Sequence, residues 1–503
     1  MNQRKIGTVL SYLHILISNS VSIIYTPYML RMLGQSEYGI YGTANSVISY
    51  LSILGFGIGG AYIRYNVIFR SRHDEEGEKR LNGMFLVIQT VLAMMVFIGG
   101  IFLVVLSDYL FGNTYTEHEL TEIKIIMILL ILNMMVSFIF NVVMMALQAY
   151  EQFFVIRFVL LIAAVLTPVV NVIALRCGGK AIAITAVSLP FSVLTYLFFY
   201  IYARKMIALR FSFRSFDRGL MKELFVFSGF LFLNSITEQI TFSTDNVILS
   251  SVKGPIIAAV YSVGANFKAY FLNFSSSVSS VFAPQVNHII ATRRAMEELD
   301  ELFIKVGRIQ FYIVSLILIG YGAIGRGFVC LWAGENYVDA YYIGLLLMLA
   351  VFIPAFQNVG LEIQKALNKH KARSVVYFLV ALMNVGITIP LSSWWGGIGA
   401  ALATTVCMFC GTGIFMNWYY ATHIGLNMIR FWKSIASILP GYILPVIVGA
   451  AIHQFWEMDS YYDVLGAAIV ISASFAVSVW KISMNQYEKG LIIQPVKKLL
   501  VRK

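Results

Sequence analysis

Runs of twenty or more apolar residues recur along the whole chain, each bounded by a short polar or charged loop. No other feature limits the fold so tightly. About 20 such residues in a helix cross the roughly 30 Å hydrocarbon layer of a bilayer, and unbroken apolar runs of that length have no counterpart in a water-soluble domain. Composition agrees: 59% of the 503 residues are hydrophobic and 12% are charged, against about 25% charged in soluble proteins. The fold class expected is an all-α polytopic membrane protein.

Fourteen spans are predicted, near 6–30, 38–62, 83–106, 123–145, 154–175, 181–203, 223–250, 256–283, 308–329, 340–362, 375–394, 398–420, 434–454 and 464–481. The first follows a basic MNQRK, outruns the apolar core of a signal peptide and lacks an A-x-A-like cleavage site, so it reads as a retained span. With the N-terminus on the cytoplasmic side, thirty of the 37 Lys and Arg residues fall in cytoplasmic segments. That bias predicts both termini inside. It also accounts for the net charge of +12, and no nucleic-acid partner is expected. The longest outer loop, SDYLFGNTYTEHELTE (107–122), is too small for a folded domain.

A faint internal repeat is present. Tyr41 and Tyr50 match Tyr261 and Tyr270 at an offset of 220, and NVIALRCGGKAIAITA (171–186) echoes NVGITIPLSSWWGGIGAALATT (384–405). The chain therefore divides into an N-terminal lobe of helices 1–6 (1–206) and a basic cytoplasmic linker (207–222). A C-terminal lobe of helices 7–12 (223–422) follows, then helices 13–14 with a basic tail (423–503). Six helices per repeat, an even number, make the two lobes parallel, related by an axis along the membrane normal.

No enzyme motif is present: the chain has no HExxH, no Walker sequence and no nucleophile elbow. GFGIGG (55–60) lies at the end of a span, where close helix packing explains it better than phosphate binding. Cys177, Cys330, Cys407 and Cys410 read as small hydrophobes, and no His pair has metal-ligand spacing beside a carboxylate. The catalytic, metal and cofactor sets are expected to be empty.

Polar stripes inside spans carry the information. Span 7 has Asn234, Glu238, Thr241 and Asp245 on one face; span 2 has Tyr38, Tyr41, Asn45, Ser49 and Ser52. Span 8 has Tyr261, Gly264, Lys268 and Ser275 beside Asn266, Tyr270, Asn273 and Ser277. Span 1 has Ser11, His14, Ser18, Ser22 and Tyr25. Such faces must meet each other or water rather than lipid. Helix–helix hydrogen bonding would satisfy the hydroxyls and amides. The charges ask for more, because an acid at a helix centre costs roughly 2.5–3.5 kcal/mol. Glu238 and Lys268 are expected at similar depth as a pair, and Asp245 is expected as an unpaired acid facing a cavity. Both acids are candidates for ion coupling. Arg31, Arg64 and Arg326 lie near span ends, where snorkelling accommodates them.

YTPYMLRMLGQSEYGIYG (25–42), RLNGMF (80–85), GRIQFYI (307–313), LWAGENYVDAYYIG (331–344) and GLEIQKALNKHKARS (360–374) resemble the polysaccharide-transporter family of oligosaccharide flippases. That family belongs to the multidrug/oligosaccharidyl-lipid/polysaccharide exporter superfamily. The resemblance implies two six-helix lobes, alternating access, a cavity lined by spans 1, 2, 7 and 8, and a bacterial cytoplasmic membrane. It implies as cargo an oligosaccharide on an undecaprenyl pyrophosphate carrier. Lys268, with His14 or Arg31, is then expected to attract the pyrophosphate. Tyr41, Asn45, Asn234, Asn266, Tyr270 and Asn273 would line the sugar path, and Glu238 and Asp245 would bind H+ or Na+ as coupling ion. A polysaccharide polymerase and other assembly proteins are the expected partners, besides membrane lipid. The rival readings are a cation antiporter of the same superfamily and a membrane-embedded glycan polymerase or ligase. Span 1 offers His14 where drug antiporters commonly place an acid, and the small outer loops argue against the enzyme.

Overall fold

The computed structural model describes residues 3–55, 58–213, 218–291, 296–367, 369, 371–491 and 493. Nearly all of them are helical, and no strand occurs among them. The chain runs through α1 (Gln3–Ser49), α2 (Ile58–Ser71), α3 (Glu75–Phe111), α4 (Glu117–Ala149), α5 (Phe153–Arg176) and α6 (Ala181–Met206). It continues through α7 (Arg218–Lys253), α8 (Pro255–Ala291), α9 (Met296–Ala333), α10 (Asp339–Phe356) and α11 (Asn358–Ala366). The last are α12 (Lys371–Met408), α13 (Met416–Tyr419), α14 (Met428–Ala436), α15 (Ile443–Phe455) and α16 (Tyr461–Ser478).

Ten stretches of the described residues are long and apolar enough to cross a bilayer. Two of them, Leu13–Ser71 of 59 residues and Arg373–Ile424 of 52, would measure roughly 75–90 Å as straight helices, more than twice the hydrocarbon thickness. Each is broken at a glycine of positive φ, Gly34 (φ 75°) and Gly396 (φ 56°), and therefore supplies two spans. Only glycine enters that backbone region without strain. α7 and α8, which carry the polar stripes, are not among the ten; counted as spans they would bring the total to the expected fourteen. The second span is less regular than its sequence suggests. It runs from Gly34 to Ser49, tightens into a 3₁₀ turn at Tyr50–Gly55 and restarts as α2.

Short loops are possible because the helices begin on good caps. The Asp74 carboxylate accepts from the Gly77 N–H at 2.7 Å, and Glu75, Glu76 and Glu78 follow in the first turn of α3, where the helix dipole favours them. Thr116 with Glu119, and Ser460 with Asp463, close reciprocal capping boxes at the starts of α4 and α16.

The described chain forms two compact units, 1–262 with 381–400 and 263–380 with 401–503. These boundaries differ from the lobe limits expected from sequence: α7, the start of α8 and part of α12 group with the first six spans. In the first unit, α3 packs on α4, α4 on α6, and α1 on α5, α4 and α7. GFGIGG packs closely at one end only: a Cβ on Gly55 would lie 3.0 Å from the Phe138 ring, whereas one on Gly60 would meet nothing within 4 Å. Phe56 and Gly57 fall outside the described residues.

The expected linker is partly built into this unit. Ile207 and Leu209 are buried with Tyr62, Phe85 and Phe199. The Ser212 N–H donates to the Lys79 carbonyl at 2.8 Å, and Asn82 Nδ2 donates to the Arg210 carbonyl at 3.0 Å. A Cβ on Gly83 would stand 2.0 Å from the Ser212 oxygen. The RLNGMF motif thus docks residues 207–213 against α3.

In the second unit α9 packs against α10, α11, α14, α15 and α16. Its Arg308, 7% exposed, forms a buried ion pair with Glu488, 5% exposed. The guanidinium also donates to the Ser434 and Ser483 carbonyls, each at 3.0 Å, and Tyr312 donates to Glu488 at 3.1 Å. So satisfied, a buried pair locks geometry more than it adds stability.

Candidate ion and substrate site

In the first unit the stripes of spans 2 and 7 meet. Thr43 donates to Ser250 at 2.8 Å, Asn246 donates to Ser46 at 2.9 Å, and Ser49 meets Ser243 at 3.1 Å. Tyr50 bonds Thr244, and Gln239 bonds Ser49. Gly39 and Gly42 lie on this side of α1, so the backbones approach closely. A Cβ on Gly42 would lie 3.0 Å from the Ser262 hydroxyl, and one on Gly39 only 1.9 Å from the Pro255 carbonyl oxygen.

Between Thr244 and Asn246 on α7 sits Asp245, 1% exposed. Expected as an unpaired acid, it instead accepts hydrogen bonds, among them those of three groups on α8 and α12. Tyr261 of α8 donates its hydroxyl at 2.5 Å, while Asn384 Nδ2 and Thr388 Oγ1 of α12 stand at 3.4 Å from the other carboxylate oxygen. Thr388 also lies 3.2 Å from Asn384 Oδ1. A hydroxyl has one hydrogen, so Thr388 serves one of these acceptors at a time. Asn384, Thr388 and Ser392 recur every fourth residue on α12 and are all buried, and the Ser392 hydroxyl has no partner among the described residues. The reason for the correction is packing. A stripe on α7 shows that a face is polar but not which distant helix covers it.

The internal repeat gains a physical meaning here. The offset of 220 that pairs Tyr41 with Tyr261 also places Tyr25 on Asp245. Tyr25 neighbours Asn171, the residue that opens the echo of the segment beginning at Asn384. The carboxylate of one repeat is therefore a phenol in the other.

Of the remaining predicted residues in this unit, His14 and Tyr41 are half-buried and Arg31 is exposed. Asn45 turns its amide to the Tyr41 carbonyl of its own helix at 2.8 Å. The side chains of Asn234 and Glu238 lie outside the described residues, so the expected Glu238–Lys268 pair does too. Lys268, Asn266, Tyr270 and Asn273 belong to the second unit. There Lys268 is 5% exposed, Asn266 and Tyr270 are half-buried, and Asn273 is exposed. Asn384 and Thr388 are the residues that sequence reasoning missed. Their i, i+4 spacing was the available signal.

A carboxylate, an amide, a threonine hydroxyl and a phenol are hard oxygen-bearing groups of the kind that hold a proton or an alkali cation. Among the described residues no cluster of three His, Cys, Asp or Glu side chains exists.

The chain matches the family described as "Polysaccharide biosynthesis protein" over residues 6–290. It is 22% identical over 506 residues to "Uncharacterized membrane protein EpsK" of Bacillus subtilis (strain 168), covering 96% of each chain. Among solved structures it resembles "Lipid II flippase MurJ, inward closed conformation", with a TM-score of 0.66 at 13% identity, over 94% of this chain and 97% of that one. It also resembles an inward-facing multidrug resistance MATE family transporter of the MOP superfamily, with a TM-score of 0.58 at 14% identity, over 82% and 99%. At such identities the likeness concerns the fold. The chain is a multi-pass membrane protein belonging to the polysaccharide biosynthesis protein family.

Proposed function

We propose that this protein is a flippase. It carries oligosaccharide repeat units on undecaprenyl pyrophosphate from the cytoplasmic to the outer leaflet of the bacterial cytoplasmic membrane, and an H+ or Na+ gradient acting at Asp245 drives the cycle. The observation that supports the reading best is a carboxylate 1% exposed among membrane-spanning helices, reached by donors from α8 and α12, in a chain of a polysaccharide biosynthesis family.

The physical chain runs from charge to motion. An ionised carboxylate in an apolar slab is tolerable only while donors or a cation face it. With no ion, Tyr261, Asn384 and Thr388 aim their hydrogens at Asp245. A proton on Asp245 makes it a donor, and one of those bonds must reverse or break. A sodium ion instead asks the Asn384 amide to turn its oxygen inward and Thr388 to offer a lone pair. Either event changes how tightly α7, α8 and α12 are held together. Such a bias on a two-state equilibrium is what alternating access requires. The glycan needs a polar path while the polyprenyl tail stays in lipid. Tyr41, Asn45, Asn234, Asn266, Tyr270 and Asn273 supply hydroxyls, amides and ring faces for that path. Lys268, helped by His14 or Arg31, would attract the pyrophosphate.

The test is depletion in the native host. Lipid-linked repeat units should accumulate on the cytoplasmic leaflet and surface polysaccharide should fall. Repeat units appearing normally on the outer leaflet would overturn the reading. Overexpression should confer no resistance to cationic drugs, whereas a multidrug antiporter would confer it.

A further inference from the structure

The helix α14 has two apolar faces, and only one is covered. Met428, Phe431, Ile435 and Ile438 are buried in the second unit, whereas Ile429 is 72%, Trp432 37% and Leu439 49% exposed. Ile429, Trp432 and Ala436 recur at helical spacing and form one outward stripe, and Leu439 follows in the 3₁₀ turn beyond the helix. Beside it stand Arg430 and Lys433, one turn apart and both exposed. Neither makes a side-chain hydrogen bond or ion pair among the described residues.

The place of this helix follows from its neighbours. The Asn427 N–H donates to the Asp300 carboxylate at 2.8 Å, Phe431 packs on Phe303 with ring centroids 4.6 Å apart, and Ser434 accepts from Arg308. Lys369 reaches the His423 carbonyl at 2.5 Å just upstream. These contacts hold α14 at the end of the second unit where Arg308, Lys365, Lys369 and Arg373 gather. The charge bias assigns that end to the cytoplasmic surface.

Between the end of the twelfth span and α14 lies an open groove of about 470 Å³, lined by Asn417, Met428, Ile429, Trp432, Lys433 and Ala436. Its size is that of small-ligand pockets. One wall is rigid: Trp432 Nε1 donates to Asn417 Oδ1 at 2.8 Å, and Gln357 donates to the same oxygen at 3.0 Å. The indole is thereby fixed with an apolar face outward. No Asp or Glu lines the groove, and the acid nearest in the contacts of α14, Asp300, is engaged with the helix cap.

We infer that this groove is a binding site for an anionic glycerophospholipid of the inner leaflet. The acyl chain lies along Ile429, Trp432 and Ala436, and the phosphate is held by Lys433 and Arg430. Charge complementarity selects the occupant. Lys433, which lines the apolar groove, and Arg430, one turn away on a helix at the cytoplasmic surface, match a headgroup of net negative charge better than a zwitterion. The inference does not depend on what the protein transports, and its test involves no transport.

The experiment uses full-length protein in nanodiscs of phosphatidylcholine. A small fraction of the lipid carries brominated chains, either as phosphatidylglycerol or as phosphatidylcholine. Bromine quenches an indole in contact with the chain. The component of quenching that disappears in Trp432→Phe should be stronger with brominated phosphatidylglycerol than with brominated phosphatidylcholine. In Arg430→Gln/Lys433→Gln the preference should vanish, by roughly fivefold in apparent affinity per charge removed. Both glutamines sit at exposed positions, and an unchanged thermal unfolding profile confirms that the fold persists. Equal quenching by the two lipids in the unaltered protein would mean bulk lipid only. No loss of quenching in Trp432→Phe would mean that the groove holds no chain. Either result overturns the inference.

Discussion

At the scale of single residues, Asp245 is the group on which the proposed coupling stands. Asp245→Asn keeps the shape but removes the charge and turns one acceptor oxygen into an NH2 donor. Coupling energies of 1–3 kcal/mol correspond to roughly 5–150-fold, and surface polysaccharide in a complemented deletion strain should fall within that range while the amount of protein in the membrane holds. Thr388→Val removes one hydroxyl, which is worth about 1 kcal/mol. The midpoint of any Na+- or pH-dependent thermal stabilisation should therefore shift severalfold rather than disappear. Tyr25→Phe is the informative contrast. Tyr25 occupies the repeat position of Asp245 without a carboxylate, so ion dependence should be unchanged. Equal loss in Tyr25→Phe and Asp245→Asn would move the coupling site away from Asp245. Outside the spans, Tyr150 is a clear donor: burial first, and its bond to Glu78 at 2.8 Å, push its phenol up to about 12.

At the scale of elements, two motifs that sequence comparison singles out turn out to fasten chain segments together. Gly83→Ala should drive a methyl group into the Ser212 carbonyl, 2.0 Å away. Overpacking costs about 1–3 kcal/mol, and the segment 207–213 should be cleaved faster in limited proteolysis. Arg308→Ala should cost about 3–5 kcal/mol by leaving Glu488 buried without its partner. The double variant Arg308→Met/Glu488→Leu should recover most of that loss, read as thermal unfolding in detergent. If the single and double variants unfold alike, the buried charge of Glu488 is not what makes Arg308 important. The glycines at the two breaks act differently. Gly34 and Gly396 have nothing tight around an added Cβ, the nearest atom being Ile257 at 3.7 Å from that of Gly396. A substitution there is costly because φ is positive, about 1 kcal/mol of backbone strain.

At the scale of the whole molecule, the even count of spans and the charge bias make a topology that can be tested directly. In a background lacking the four native cysteines, Lys369→Cys should react with an impermeant maleimide only from the cytoplasmic side. Lys180→Cys, at the start of the sixth span, should react only from outside. Labelling of both from one side would break the span count between them. The Glu37 carboxylate, 2.6 Å from the Lys180 ammonium, holds that lysine above its ordinary value, so Lys180 stays charged throughout the physiological range.

The amino-acid sequence alone determined the solvent, the helical class and the faces that must avoid lipid. All of these follow from hydropathy and from the 3.6-residue period, which are properties of contiguous residues. It even placed Tyr41 over Tyr261 in the repeat. Only the tertiary structure decided which faces meet. Asn384 and Thr388 reach Asp245 across 139 and 143 residues, and Arg308 reaches Glu488 across 180. A periodicity marks a stripe as polar, but the helix that covers it is chosen by the packing of the entire bundle. For that reason Asp245 reads from sequence as an isolated acid and in the fold as the centre of a hydrogen-bonded cluster.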